Sequence, residues 1–461
     1  MPPEAESPMP PFDTALPARV PLHSTPLGLL ASARAGQRNV LELIPEIATR
    51  QPMLSGRTGK RWHMVMEPGA LKRILRDRVE DYPKSTVTKL ILEQAIGDSL
   101  FVAEGADWLW QRRAAAPVFS HRNVAALAPV MTAAAERSSA RLTAAQGRGV
   151  DVFSEMVAAT FEVISDVTFS GGESFDRAAV HRAIEGYIAK AAKVSLLDLL
   201  GVPGWVPRPG RLMAGPAMRE MKRIADTAIE ARRAAGPHVI PDLLDLLLDG
   251  EDPKTGRRMS TSELRDNLLT FIVAGHETTA LTLSWALYLC AFDTDVQAAA
   301  GAEARAVLGD RAATAADIAQ LPLTRRIIDE TLRLYPPAAF LSRTAQVADE
   351  LCGREIRAGD TIVLPIYALQ RHHMLWRDPD AFDPARFADP KVIDRFSYLP
   401  FGDGPRICIG ANFALQEAVI ILATLLARHR FGLILGKTPR PVMILTLRPE
   451  GGVWLTVEPA G

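Results

Sequence analysis

The stretch that decides the fold is Phe401-Gly402-Asp403-Gly404-Pro405-Arg406-Ile407-Cys408-Ile409-Gly410, near the end of the 461-residue chain. Its glycines and its proline are incompatible with a helix or a central strand, so the sequence predicts a tight irregular loop. The apolar run from Ala411 to Leu426 that follows predicts a helix. We therefore expect Cys408 at a helix N-terminus, where backbone N–H groups and the helix dipole favour thiolate over thiol. This makes Cys408 a candidate metal ligand.

The order Phe-Gly-x-Gly-x-Arg-x-Cys-x-Gly resembles the haem-binding signature of the cytochrome P450 family, and every fixed position is present. A thiolate held by backbone donors with one open face is a suitable axial ligand for haem iron. The resemblance implies that Cys408 binds the iron of haem b, with Phe401, Arg406 and Gly410 around the cofactor. It also implies a mainly α fold with a small β region, built as a single haem-containing domain. The alternative is that Cys408 is a small core residue.

The composition excludes several classes of protein. Hydrophobic residues make up 48% of the chain, and 53 basic residues balance 53 acidic ones. This balance gives no reason to expect binding to nucleic acid or to an anionic membrane. The three cysteines, Cys290, Cys352 and Cys408, are too few and too scattered for a disulfide framework or a zinc site. We therefore expect a cytoplasmic protein.

The first 27 residues are rich in proline and predict a flexible tail in front of one catalytic domain over residues 28–461. The tail lacks the basic start and the apolar core of a secretory signal. The apolar run 27–33 is too short to span a membrane, so no transmembrane anchor is expected. Length alone suggests about three domains, but the resemblance favours a single one.

Two segments in the first half of the chain resemble parts of the family. Trp108 and Arg112 are four residues apart on one predicted helix face, and the resemblance implies that both donate to a haem propionate. The alternative is a surface arginine packed on a tryptophan. Arg113 is expected to point outward, towards an electron donor. The loop 201–216 is too dense in proline and glycine for a regular element. The resemblance implies a mobile lid over the substrate channel, and a plain connector is the alternative.

A long buried helix is predicted from a capping box, Ser260 with Glu263, to about Phe292. At 1.5 Å per residue it is roughly 48 Å long. Its centre reads Ala274-Gly275-His276-Glu277-Thr278-Thr279. A glycine, two threonines and an acid in the most apolar helix all cost stability, and such local violations together indicate function.

The resemblance implies that this centre is the oxygen-binding groove of the family. Ala274 and Gly275 would face the cofactor, and Glu277 and Thr278 would handle protons. Glu277 is expected to swing between solvent and the cavity. The alternative is a helix bend with a solvated glutamate.

A helix predicted over Pro322 to Tyr335 places Glu330 and Arg333 on one face. With Arg386 of the later Phe382-Asp383-Pro384-Ala385-Arg386-Phe387, they resemble the buried structural triad of the family. The resemblance implies that this triad holds the Cys408 loop in shape, a role for which a bidentate arginine is suited. It also implies that Arg343 reaches a propionate. The residues implied to line the substrate pocket are Val273, Ala274, Phe340, Leu341, Ile444 and Leu445.

The predicted reaction is insertion of one oxygen atom from O₂ into an apolar molecule that resembles a fatty acid, a terpenoid or a polyketide. No Gly-x-Gly-x-x-Gly opens a βαβ unit in this chain. Electrons are therefore expected from a separate ferredoxin or flavodoxin with its NAD(P)H-dependent reductase, and the chain is expected to be a monomer. Two alternatives stay open. A haem-thiolate peroxygenase or isomerase would not need the Glu277–Thr278 pair, and a non-catalytic haem sensor would usually carry an output domain.

Overall fold

A computed structural model describes residues 16–25, 27–58, 60–85, 89, 96–169, 215–239, 241–443 and 445–460. These residues form a mainly helical body with small sheets, as the sequence predicts. The described helices are α1 (Leu29–Arg38), α2 (Pro68–Lys72), α3 (Gly105–Ala115), α4 (His121–Ala126), α5 (Ala128–Ala144), α6 (Val152–Phe169), α7 (Gly215–Ala235), α8 (Leu243–Asp249), α9 (Thr261–Phe292), α10 (Thr294–Leu308), α11 (Pro322–Leu334), α12 (Ile366–Leu369) and α13 (Ala411–Arg428). A π-helical turn, Arg73–Asp77, continues α2.

The strands are short and lie beside the helical body. They are β1 (Met53–Thr58), β2 (Lys60–Val65), β3 (Gly149–Asp151), β4 (Leu341–Thr344), β5 (Asp349–Leu351), β6 (Arg354–Ile356), β7 (Thr361–Leu364), β8 (His429–Leu433), β9 (Arg440–Met443), β10 (Leu447–Glu450) and β11 (Trp454–Pro459). The largest described sheet has the order β1-β2-β7-β4, with β2 and β7 parallel. A second has the order β3-β11-β8, and β5-β6 and β9-β10 are hairpins.

The helix α9 confirms the prediction of a long buried helix. The side chain of Ser260 accepts a hydrogen bond from the Glu263 amide, and the Glu263 carboxylate accepts one from the Ser260 amide, so the capping box is complete. The helix packs against α6, α7, α11 and α13. Since it is apolar on almost every face, neighbours on all sides are what stabilise it.

The helix α13 begins directly after Gly410 and carries the Cys408 loop at its N-terminus. Its residues are mostly buried against α5, α9 and α10. By length and composition alone α13 is apolar enough to cross a membrane, but most of it lies inside the protein. It is therefore a central support on which the loop rests.

Several predicted elements differ from the structure. The sequence of residues 40–49 predicts a short helix that kinks or starts at Pro45. The structure instead has two 3₁₀ turns, Val40–Leu43 and Glu46–Thr49, with Pro45 between them, because proline has no N–H to donate within a helix.

The apolar run 442–447 predicts one strand, but β9 ends at Met443 and β10 begins at Leu447. The predicted loop 201–216 is shorter at its C-terminal end, since α7 begins at Gly215. The rest of that loop, and the helix that the sequence predicts over 177–200, lie outside the described residues.

The second half of the predicted flexible tail is held in place. The Ala18 amide donates to the Tyr288 hydroxyl at 2.9 Å, and the Val20 amide donates to the Tyr367 hydroxyl at 3.1 Å. The Tyr335 hydroxyl donates to the Ala18 carbonyl at 2.5 Å. Residues 16–25 are therefore part of the folded body, and residues 1–15 lie outside the described ones.

Candidate active site

The Cys408 loop has the tight irregular geometry that its glycines predict. Gly402 and Gly404 have φ of +69° and +72°, a region that side chains rarely adopt. A Cβ on Gly404 would lie 2.0 Å from the Leu75 carbonyl oxygen, so only glycine fits there. The Cys408 amide closes the loop by donating to the Phe401 carbonyl at 2.9 Å.

The Cys408 side chain is accessible, although protein surrounds it at the longer range that governs desolvation. This burial raises the pKa of the thiol, and the Gly410 amide and the Arg112 guanidinium only partly oppose it. In the protein alone, burial thus opposes the thiolate form that the loop and the helix N-terminus favour. A bound metal ion would supply the missing stabilisation, because coordination deprotonates a thiol.

The centre of α9 is accessible on one face, although most of this helix is buried. Ala274 is exposed although Ile272 and Thr279, on either side along the helix, are buried. Thr278 lies one turn further on the same face, and its hydroxyl donates to the Ala274 carbonyl at 2.8 Å. The Thr278 oxygen keeps its capacity to accept a hydrogen bond. Gly275 contacts Ile164 of α6 at 3.4 Å, measured from where a Cβ would stand.

Glu277 is buried and held, rather than mobile as predicted. Its Oε1 accepts hydrogen bonds from the Thr446 hydroxyl and from Nε of Arg448, each at 2.5 Å. Thr446, which follows the predicted pocket residues Ile444 and Leu445 in the sequence, is a partner of this acid. Thr446 and Arg448 therefore fix the orientation of the Glu277 carboxylate.

A second buried acid lies next to the same turn of α9. Glu417 of α13 is 2% exposed, and burial raises its pKa well above the usual range, opposed by a hydrogen bond with Thr279. Burial therefore favours the neutral form of this carboxyl group. Sequence analysis missed it, although an acid in an apolar helix is the signal by which Glu277 was found.

Trp108 and Arg112 share one face of α3, as predicted. The Arg406 guanidinium lies 4.4 Å from the centroid of the Trp108 ring. Burial lowers the pKa of Arg112, and Cys408 opposes that shift. Within the part of the chain that the structure describes, Arg112 has no hydrogen-bond or ion-pair partner. Arg112 is half-buried, so its guanidinium is available to an anionic ligand.

Two more cations lie nearby. Arg343 is 6% exposed and its Nε has no partner. Burial and the charge of Arg406 lower its pKa to about 10, and Glu104 opposes them. Lys84, which sequence analysis missed, has its pKa lowered to about 7 by burial and by Arg406 and Arg343. Glu104 pairs with Arg406.

Lys84, Arg112, Arg343 and Arg406 are called here the cationic cluster. Repulsion among Lys84, Arg343 and Arg406, and the orphaned Nε of Arg343, indicate that Glu104 does not balance the positive charge of the cluster. The two propionates of a haem would supply two carboxylates, and accessible Cys408 would supply the axial ligand. These residues therefore fit the cofactor that the sequence predicts.

The predicted triad meets as expected. Glu330 and Arg333 are each 0% exposed, and their two-point pair has distances of 2.6 and 2.8 Å. Arg333 also donates to the carbonyls of Gln370, Pro379 and Ala381 at 2.6–2.9 Å. Arg386 Nε lies 3.4 Å from Glu330. Arg333 thus anchors the segment that leads into the Cys408 loop.

The predicted pocket residues Val273, Phe340, Leu341 and Leu445 are half-buried, and Ile444 lies outside the described residues. A methyl group of Leu341 lies 3.8 Å from where a Cβ of Gly402 would stand, so Leu341 borders the Cys408 loop.

Arg113 does not point towards a partner protein. Its guanidinium makes a two-point pair with Asp252, at 2.6 and 2.7 Å, and Asp252 is fully buried. The prediction of an outward Arg113 is therefore wrong, because the side chain ties α3 to the segment before α9.

Comparisons with known proteins agree with this site. A family model described as Cytochrome P450 matches residues 34–456. Cyclooctatin synthase of Streptomyces melanosporofaciens is 32% identical over 92% of this chain and 93% of its own. Cyclooctat-9-en-7-ol 5-monooxygenase of the same organism is 32% identical, with 89% of each chain covered. A crystal structure of the cytochrome P450DA heme domain superposes with a TM-score of 0.78 at 27% identity, covering 88% of this chain and 90% of that one.

The chain belongs to the cytochrome P450 family, and its fold is the P450 fold. It is a haem-thiolate monooxygenase with haem b as its cofactor. It depends on a redox partner and acts on apolar substrates.

Proposed function

We propose that this enzyme hydroxylates a terpenoid-like molecule, with haem b held by Cys408 and the cationic cluster. The observation that carries the proposal is that cations surround an accessible cysteine: Arg112 interacts with the Cys408 sulfur. Arg406, two residues before Cys408, lies over the ring of Trp108, one helical turn from Arg112. One group that has both carboxylates and a thiolate-binding metal meets both needs. The bound haem supplies the activation of O₂, and the protein supplies position and protons.

The proposed substrate class rests on apolar walls and on the relatives. Val273, Phe340, Leu341 and Leu445 are half-buried apolar side chains that pack beside the core. The relative named Cyclooctat-9-en-7-ol 5-monooxygenase acts, by its name, on an unsaturated cyclic alcohol. At 32% identity the pocket is free to differ in detail, so the proposal extends to the chemical class and not to that compound.

Proton delivery is proposed for the Thr278 side of α9. The Thr278 hydroxyl bonds back to Ala274, from which it can rotate towards the accessible space and hold a proton at Oγ1. Glu277 is the nearest acid in sequence, and Arg448 and Thr446 hold it in place. We propose that Glu277 and Thr278 pass protons inward, while Thr446 and Arg448 only orient the Glu277 carboxylate.

We propose a separate ferredoxin or flavodoxin as the electron donor, which would dock beside the Cys408 loop. Arg76 and Arg122 replace Arg113 as its contacts. Arg76 Cα lies 3.4 Å from where a Cβ of Gly404 would stand. Arg122 adjoins His121, which lies 3.5 Å from Asn412 of α13. Both arginines are exposed, and neither forms an ion pair within the described residues. We also propose a cytoplasmic monomer without a membrane anchor, with residues 28–461 as one domain.

The decisive test replaces the proposed ligand. Cys408→Ala should remove the strongly red-shifted Soret band of the reduced carbon monoxide complex. A band that persists in this variant would refute the assignment of Cys408. A panel of terpenes and fatty acids, titrated into the parent protein, should shift the haem spectrum most with terpenes. A larger response to fatty acids would refute the proposed substrate class.

A further inference from the structure

One buried carboxylate, Asp349 of β5, gathers three side chains from a single distant segment. Arg73 donates to it through Nε and a terminal nitrogen at 3.0 and 2.7 Å. The Tyr82 hydroxyl donates at 2.6 Å, and an Arg78 nitrogen lies 3.0 Å away. The Asp349 side chain is 5% exposed. Nearly all hydrogen-bonding capacity of this carboxylate is therefore used to hold residues 73–82.

The first half of that segment, the turn Arg73–Asp77, packs against the Cys408 loop. Arg73 opens the π-helical turn and Arg78 caps it. Between them, the Leu75 carbonyl faces Gly404 so closely that no side chain fits there. A π-turn is a marginal conformation that persists where tertiary contacts support it, often at functional sites. Asp349 provides that support from both ends of the turn.

The second half of the segment leads to the cationic cluster. The Thr344 amide donates to the Pro83 carbonyl at 3.0 Å, and the Gln346 amide donates to the Asp81 carbonyl at 2.8 Å. These bonds align residues 81–85 with β4, so that Lys84 lies opposite Arg343. Tyr82, whose hydroxyl Asp349 binds, lies between Asp81 and Pro83, the two residues whose carbonyls accept these bonds.

We propose that Asp349 is a positioning residue that sets the Cys408 loop and Lys84 relative to each other without touching the cofactor. Through Arg73 and Arg78 it fixes the turn that places the Leu75 carbonyl against Gly404. Through Tyr82 it fixes the segment that carries Lys84. The proposal rests on the assignment of Cys408 and the cationic cluster as the haem site. Burial alone would raise the pKa of Asp349, but bonds from Arg73 and Tyr82 outweigh it and lower the pKa, so the carboxylate stays charged.

The test compares Asp349→Asn with a matched control, Asp317→Asn. Asp317 is also buried, accepts two bonds from Arg311 at 2.6 and 2.7 Å, and bonds a hydroxyl, that of Thr314. It caps the 3₁₀ turn Ala315–Gln320, which packs near Thr424 in the later turns of α13, away from the Cys408 end. Both substitutions keep the shape of the side chain and remove the charge. Both should lower the melting temperature.

Only Asp349→Asn should alter the haem. The share of reduced carbon monoxide complex that lacks the red-shifted band should rise several-fold, and haem transfer to an excess of an acceptor globin should speed up several-fold. Tyr82→Phe, which removes one hydroxyl, should act in the same direction with a smaller effect. It also decides the case if Asp349→Asn yields no folded protein.

Two outcomes separate the inference from its premise. The inference is overturned if Asp349→Asn and Asp317→Asn have the same share of complex without the red-shifted band and the same rate of haem transfer. If Asp349→Asn does not fold, the inference is overturned when Tyr82→Phe behaves like the parent. A red-shifted band that survives in Cys408→Ala would overturn the ligand assignment instead. Loss of that band in Cys408→Ala, together with a parent-like Asp349→Asn, leaves the ligand assignment intact and removes only the role of Asp349.

Discussion

The triad and the cationic cluster are both groups of buried charges, but they are balanced in opposite ways. In the triad, Glu330 meets Arg333, and the donors of Arg333 reach three carbonyls. In the cluster, Arg112 has no partner within the described residues and Arg343 keeps an orphaned Nε. Since a buried charge must be compensated, the Glu330–Arg333 pair needs no ligand, whereas the cluster lacks anions that a ligand would supply. Buried charges that pair within the protein thus indicate a structural framework, and those that lack a partner indicate a binding site.

Breaking the triad should have the largest effect. Glu330→Gln leaves the fully buried Arg333 without its charge partner, which costs about 3–5 kcal/mol. We expect little haem-containing protein, measured as the ratio of haem absorbance to protein after purification. A stable and fully haem-loaded Glu330→Gln variant would show that the triad is not part of the framework.

Neutralising a member of the cluster should weaken haem binding without destabilising the haem-free protein, unlike the change in the triad. Arg343→Gln relieves repulsion with Arg406, so the melting temperature of the haem-free protein should stay equal or rise. Haem transfer to an acceptor globin should speed up by roughly ten- to hundredfold, because a charge-assisted hydrogen bond contributes about 1.5–3 kcal/mol. The matched control is Arg232→Gln, since Arg232 is equally buried but paired with Asp242 and Asp245. It should lose stability without a change in haem transfer, and equal behaviour of the two variants would contradict the comparison.

The excess of positive charge in the cluster should make the stability of the haem-free protein depend on pH through Lys84. Its pKa in the folded protein is about 7, against 10.5 for an ordinary lysine. Between these values the unfolded chain binds more protons, so the stability of the haem-free protein should rise with pH from about 7 to about 10. Unfolding by urea at several pH values measures this slope. Lys84→Met should flatten it, and so should bound haem, whose propionates would hold Lys84 charged. A slope that persists in Lys84→Met would assign it to another group.

Thr278→Ala should leave both charged groups untouched and change only the outcome of turnover. Haem content and the rate of reduction should match those of the parent. Without the hydroxyl that holds a proton, product should fall and hydrogen peroxide should rise several-fold per NAD(P)H consumed with reconstituted partners. The neighbouring Thr282→Ala is the control, since its hydroxyl bonds back to Thr278 in the same way. Tight coupling in Thr278→Ala would refute the proposed proton delivery.

The smallest effect is expected at the surface. Arg122→Glu should slow reduction by an acidic donor roughly two- to threefold at low salt, with the difference vanishing as salt screens the charges. Arg219→Glu, an exposed arginine on α7, serves as the control. Equal reduction rates for both variants across the salt range would place the donor elsewhere.

The long helix and the triad were predictable because their signals are local. A capping box and an unbroken apolar pattern define α9, and a spacing of three residues brings Glu330 and Arg333 together. The helices α5 and α10 were not predicted, since alanine-rich sequences such as these show little contrast between apolar and polar faces.

The partners of site residues were harder to predict, since they come from distant parts of the chain. Asp252 turns Arg113 inward from 139 residues away, and Arg448 holds Glu277 from 171 residues away. Lys84 gains its role only by lying opposite Arg343. No local pattern around Arg113, Glu277 or Lys84 carries these relations.

The three tyrosine hydroxyls that bind Ala18 and Val20 also bear on how the chain is made. The bonded partners are 270 to 347 residues apart in the sequence. A ribosome adds about 5–20 residues per second, so residues near position 20 wait roughly 20 to 70 s before Tyr367 emerges. The N-terminal segment is therefore among the first to be synthesised and among the last to dock, and it is open to chaperones and proteases in the meantime.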